Sequence, residues 1–240
     1  MPSVTEKVVI FVADNVLGDP IVVANQYPAL DYIAKRGQSG YLSTFEDCDD
    51  IIEEVTGINY HGAGKLGDVL GPMKLSVLVS KSKYSGFGDV ENIEKMKEKD
   101  EIYAEIQDKL KAFNVVIVEM MDLKTINNVV NMMKDDIDGK NVAICLILGY
   151  KENSEIPKFR LPPECVDPSY KIVGPNVLDN LNLKKPCIFI SASMRLTRID
   201  NVQSFDENDI YQNNCMGILP ICQILREFSY YTGSSWKYGA

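Results

Sequence analysis

Five apolar runs, Val8–Ala13, Leu75–Ser80, Val115–Val118, Val142–Leu148 and Cys187–Ala192, show no alternation of polar and apolar residues. A strand packed on one face alternates, whereas a strand covered on both faces reads as an unbroken hydrophobic run. These strands must therefore lie between two layers of helix. The intervening segments have the period for that cover. Tyr27–Arg36 opens with Pro28 near its first turn, sets Leu30, Ile33 and Ala34 on one face, and stops at Gly37. Glu101–Ala112 spaces Tyr103, Ile106 and Leu110 at helical intervals, and Leu123–Asp136 does so with Ile126, Val129, Val130 and Met133. Met216–Tyr230 repeats the pattern with Ile218, Ile221, Cys222, Leu225 and Phe228. From Glu101 to Leu148 the order is helix, strand, helix, strand, the mark of a right-handed parallel crossover. The expected fold is α/β, a doubly wound α/β/α sandwich with a mostly parallel sheet. Lys81–Lys99 reads as a charged loop followed by an exposed helical turn, and Lys151–Leu183, with five prolines, as a long surface excursion.

Charge narrows the function classes. A net charge of −9 leaves no basic surplus to neutralise phosphates, which argues against nucleic acid as a partner. No basic-then-apolar leader and no apolar run of membrane-spanning length is evident, so no membrane span is expected. The six cysteines, Cys48, Cys145, Cys165, Cys187, Cys215 and Cys222, contain no C-x-x-C pair. Several fall in apolar runs as buried thiols, which fits a reducing, cytoplasmic setting.

Four features invite a chemical reading. The first strand runs to Asp14, and the C-terminal tip of such a strand is where an open α/β sheet places its site. Asp14 reads as a metal ligand, a turn cap or a surface acid. Gly62-Ala63-Gly64-Lys65-Leu66-Gly67 matches G-x-G-x-x-G, but no convincing strand precedes it and no useful helix follows, so a glycine-rich turn is the better reading. The acidic run Glu46-Asp47-Cys48-Asp49-Asp50 either attracts a cation or forms the acidic start of a helix into Ile51–Val55, and the helix macrodipole favours the second. His61, the one histidine of the chain, reads as a ligand, a general base or a solvated turn residue.

Taken in order, these segments resemble the cofactor-independent phosphoglycerate mutases, the archaeal-type branch of the alkaline phosphatase superfamily. The resemblance rests on Val8 through Asp14 to Gly18-Asp19, followed by Tyr27-Pro28-Ala29-Leu30-Asp31 and Ala34-Lys35-Arg36-Gly37-Gln38-Ser39-Gly40. The family places there a strand ending in an Asp-Gly metal site, a helix opening Thr-Pro-Asn-Leu-Asp, and a Ser-Gly step. Its Gly-Ser-Asp nucleophile segment, its Leu-Gly-Tyr-Asp and its Gly-Arg-Gly turn fall in register with Asp47-Cys48-Asp49, Thr56-Gly57-Ile58-Asn59 and Gly62-Ala63-Gly64. Phe113–Asp122, Pro186–Ile190, Ser204-Phe205-Asp206-Glu207 and Trp236-Lys237-Tyr238-Gly239-Ala240 resemble later family segments. The resemblance implies one domain over residues 1–240, with the family's insertion domain reduced to about 71–99.

It also implies a metal centre that this chain departs from. Cys48 stands at the nucleophile position, and Asp14 and Asp122 match two metal aspartates. Asn15 replaces the glycine after the first, and the histidine four residues beyond the second is Ile126. The Asp-His pair after the next strand is Gly149-Tyr150-Lys151, and Gly-Arg-Gly has lost its arginine. The family's later histidine, in the stretch before Pro186, has no counterpart. Two carboxylates do not hold two cations at ordinary concentrations. Without cations the nucleophile is not activated and the phosphoryl oxygens are not neutralised, and the acids around Cys48 disfavour its thiolate. The expectation is a catalytically inactive relative with no cofactor, serving as a structural or protein-interaction subunit with a protein partner. The competing expectation is a phosphoglycerate mutase or phosphohydrolase with a reduced Mg or Mn site of Asp14, Asp49 and Asp122. A third is a small-ligand or nucleotide sensor in the old active-site cleft.

Overall fold

The structure, a computed structural model, describes residues 7–18, 26–44, 50–56, 73–80, 89–93, 98–139, 141–151, 172–173, 176–177, 187–193, 199–221 and 224–232. The strands are β1 (Lys7–Leu17), β2 (Gln38–Ser43), β3 (Leu75–Val79), β4 (Val90–Asn92), β5 (Val115–Glu119), β6 (Val142–Tyr150), β7 (Ile172–Val173), β8 (Asn176–Val177), β9 (Cys187–Ala192) and β10 (Ile218–Pro220). The helices are α1 (Pro28–Arg36), α2 (Ile51–Thr56), α3 (Lys99–Ala112), α4 (Leu123–Gly139), α5 (Glu207–Asn213) and α6 (Ile224–Tyr231). Eight strands form one sheet in the order β10-β2-β9-β6-β1-β5-β3-β4. Strand β9 runs antiparallel to both β2 and β6, and every other pairing in the sheet is parallel. The short pair β7 and β8 stands apart as an antiparallel ribbon.

The unbroken apolar runs are buried on both faces. Val9, Phe11 and Ala13 of β1 meet Leu30 and Ile33 of α1, Ile106 of α3, and Ile126, Val129 and Met133 of α4. Val8, Ile10 and Val12 turn to the other side, where Ile51, Ile52 and Val55 of α2 and Ile224, Leu225 and Phe228 of α6 cover them. Alternate residues of one strand thus enter two separate cores, which is the α/β/α sandwich the sequence predicts.

Three elements differ from expectation. Met216–Tyr230 is a short strand followed by a helix: Gly217 turns at φ 64, Ile218–Pro220 pairs with Tyr41–Ser43, and α6 begins at Ile224. Pro220 cannot donate to a helical ladder, so the apolar period breaks there in favour of an edge strand. Strand β2 lies where the sequence shows only a Ser-Gly step, because its residues are mixed and its order comes from pairing with β9. Strand β4 lies inside the expected loop, tied down by Lys109 Nζ of α3, which meets Asp89 at 3.1 Å and Glu91 at 2.9 Å. Of the long excursion after Lys151, β7 and β8 are described; residues 81–88 and most of 152–186 lie outside the described residues.

Buried carboxylates clip the segment 199–206 to the rest. Asp200 Oδ2 accepts the Ser39 backbone N–H at 2.6 Å and the Ser39 hydroxyl at 2.5 Å, while Oδ1 takes the Val202 N–H at 3.2 Å. Asp31 of α1 accepts the Phe205 N–H at 2.7 Å. Asp136 of α4 takes the Gln107 amide at 2.7 Å, joining α4 to α3. Because these acceptors face buried donors, their loss leaves N–H groups without partners. Asp200→Ala is expected to cost about 2–4 kcal/mol of unfolding free energy in urea, with Asp200→Asn costing clearly less.

Candidate functional site at the carboxyl edge of the sheet

The parallel strands β1, β3, β5 and β6 all end at one edge, and β9, running the other way, begins there. Val12 is in register with Glu119, and the Met120 N–H reaches the Val12 carbonyl at 2.8 Å. Asp14 and Asp122 follow those residues, so the two aspartates stand at the same edge, as the sequence predicts.

Asp14 does not end β1. The strand bulges through Asp14-Asn15-Val16 and resumes at Leu17, which pairs with Tyr150. Asn15 is left-handed at φ 58, a conformation asparagine tolerates. In that turn its backbone N–H and its side-chain amide both bind the Asp14 carboxylate, at 2.8 and 3.1 Å. Opposite the bulge lies Gly149, where an added Cβ would fall onto Asp14 Oδ1 and 2.9 Å from Ile51 Cδ1. Gly149 is therefore what makes room for the half-buried carboxylate.

Asp122 caps a helix. Its two oxygens take the Thr125 backbone N–H and hydroxyl, each at 2.8 Å, at the start of α4. Asp50 does the same for α2 through the Ile52 N–H at 2.9 Å, which favours the helix-start reading of the acidic run. Cys48, Asp49, His61 and the glycine-rich turn at 62–67 lie outside the described residues. Ile126 is fully buried in the core, and Lys151 is exposed, its backbone N–H bound to the Leu17 carbonyl at 2.9 Å. Among the described residues no three His, Cys, Asp or Glu side chains group to hold a metal ion.

Sequence reasoning passes over two further groups. Ser80, at the end of β3, donates both its N–H and its hydroxyl to Glu119 Oε2 at 2.8 Å, beside the exposed Met121. Tyr150 is buried and its hydroxyl donates to Glu207 Oε2 at 3.2 Å, with Tyr41 of β2 close enough to feel the Glu207 charge and to couple to Tyr150. Burial first, then the Glu207 charge, pushes both phenols up. Burial likewise raises the Cys145 thiol well above its ordinary value, as befits an inert core residue. The one available signal was the aromatic residue filling a polar family position at Tyr150.

No family model matches the chain, and no curated protein matches it. Several solved structures share its fold, among them the following two. One is the PH0037 protein from Pyrococcus horikoshii, 13% identical with a TM-score of 0.59, over 98% of this chain and 99% of that one. The other is a cofactor-independent phosphoglycerate mutase from Thermoplasma acidophilum DSM 1728, 9% identical with a TM-score of 0.58, over 94% of this chain and 100% of that one. The likeness is one of fold. No helix among the described residues is long and apolar enough to cross a membrane.

The geometry assigns separable costs. Asp122→Ala removes the α4 cap and is expected to lower stability by about 1 kcal/mol in thermal or urea unfolding, whereas Asp122→Ser leaves it nearly unchanged. Gly149→Ala forces the Asp14 carboxylate and Ile51 aside and is expected to cost about 1–3 kcal/mol.

Proposed function

We propose that this chain is a catalytically inactive relative of the cofactor-independent phosphoglycerate mutases, kept as a structural or protein-interaction subunit. The observation that carries this reading is the engagement of Asp122, whose two carboxylate oxygens are both bound to Thr125 in capping α4. Its neighbours point the same way: Asp14 is bracketed by Asn15, and the positions where the family carries metal ligands hold Ile126, Tyr150 and Lys151, the first two buried. A two-cation phosphoryl-transfer centre needs ligands on both ions and an open position for substrate. The donor set described at this edge does not fit one. In this reading the chain is a single domain over 1–240 whose insertion is reduced to about 71–99, and it binds a protein partner in the cytoplasm without a cofactor.

The second reading, a reduced Mg or Mn site, draws on the shared edge of Asp14 and Asp122, with Asp49 as the third ligand. One comparison separates the two. An inert site predicts no bound divalent metal in the purified protein and a melting temperature indifferent to chelator. Asp14→Asn should then hold or raise the melting temperature, because removing one charge from an edge that also carries Asp122 lessens like-charge repulsion. A metal that binds the folded state adds stability by mass action, so chelator would lower the melting temperature of the unmodified protein and leave Asp14→Asn untouched. That result, or two divalent ions per chain by metal analysis, overturns the proposal. Recovery of the native chain without any stable partner would remove the subunit role.

A further inference from the structure

The paired register of β3 and β5 runs from Leu75 opposite Val115 to Leu78 opposite Val118. Beyond it a side chain continues the link: Glu119 Oε2 accepts both the Ser80 backbone N–H and the Ser80 hydroxyl, each at 2.8 Å. The same hydroxyl lies 3.3 Å from Met121 Sδ. A serine hydroxyl has one proton to donate, and a carboxylate is a far stronger acceptor than a thioether. The proton therefore goes to Glu119, and the sulfur rests against the hydroxyl oxygen. Met121 is 58% exposed, whereas Met73, Met120 and Met133 are buried and Met132 and Met216 half-buried. Among the described methionines it is thus the sulfur most open to an oxidant, and it touches the group that ties the end of β3 to β5. We propose that Met121 is a peroxide-sensitive modification site, whose sulfoxide draws the Ser80 hydroxyl away from Glu119 and loosens the carboxyl end of β3.

The chemistry is an oxygen transfer. A lone pair on Sδ attacks the outer oxygen of hydrogen peroxide and the O–O bond breaks. The transferred oxygen sheds its proton and the departing hydroxide takes one up, so the thioether is oxidised to a sulfoxide and the peroxide is reduced to water. The product replaces a weak sulfur acceptor with a polar oxygen one bond away, on a side chain flexible enough to turn it toward Ser80. That oxygen competes for the one hydroxyl proton, and Glu119 is left with the Ser80 N–H alone. A charge-assisted bond is lost where the backbone ladder has already ended, so the strand end opens more often. Sulfoxide reductases reverse the change.

The test treats the whole chain with dilute hydrogen peroxide, follows each methionine by peptide mass spectrometry, and reads exchange of the Ser80 amide by NMR before and after. Met121 should be converted several-fold faster than Met132 or Met216, and the Ser80 amide should exchange several-fold faster once it is. In Met121→Leu, which keeps the bulk without an oxidisable sulfur, the same peroxide should leave Ser80 exchange unchanged, and damage elsewhere is thereby excluded. Ser80→Ala retains the N–H bond but has no hydroxyl to lose, so exchange at position 80 should not respond to conversion of Met121. Conversion of Met121 no faster than that of the half-buried methionines overturns the proposal. So does unchanged Ser80 exchange after full conversion, or a response that persists in Met121→Leu or in Ser80→Ala.

Discussion

Everything in this molecule is arranged around a strand that has no outside. From Val8 to Ala13 the side chains of β1 are at most 2% exposed, and both of its backbone edges are taken by parallel neighbours. A buried N–H or carbonyl without a partner costs a few kcal/mol, so β5 and β6 are obligatory. Because they are parallel, each needs a crossover, and α3 and α4 supply the same face. Burial of each large apolar side chain adds about 1.5–3 kcal/mol. That demand forces helices on both sides and drives the polar residues to the strand tips, where the candidate site lies.

The excess of acids, 34 Asp and Glu against 25 Lys and Arg, has a structural use that net charge conceals. Asp31, Asp50, Asp122, Asp200, Asp206 and Asp209 all accept backbone N–H groups, at helix starts or along the segment before α5. A carboxylate that takes an N–H gains a charge-assisted bond and has no need of a basic partner. Acids at the carboxyl edge are thus serving as caps and clips. A reading of them as ligands has to compete with that use, and Asp122 shows the competition most plainly.

Long apolar strands and strongly periodic helices were legible because one physical signal, burial, dominated each of them. Strands β1, β3, β5, β6 and β9 and helices α1, α3 and α4 fall into that class. Strands β2, β4 and β10 were not, since their order comes from pairing with neighbours distant in sequence, and Ile218-Leu219 carries an apolar period that helix and strand share. At the site, the placement of Asp14 and Asp122 on one edge followed from the strand ends. The continuation of β1 through its bulge did not, because an asparagine in a left-handed turn leaves no trace in hydropathy. Nor did the pairing of Tyr150 with Glu207, residues 57 positions apart in sequence.

The reversed strand β9 has a consequence for how this fold can vary. Since Cys187 lies opposite Gly149, the chain leaves the sheet at Lys151 and returns to it at the same edge, beside its point of departure. The closure entropy of such a loop grows only with the logarithm of its length, about 0.6 kcal/mol for each doubling. Whatever lies between those two residues can lengthen, shorten or be exchanged for a foreign segment while the strands on either side keep their register. The sheet has, in effect, a socket with fixed terminals, and divergence among chains of this fold should accumulate there before it reaches the core.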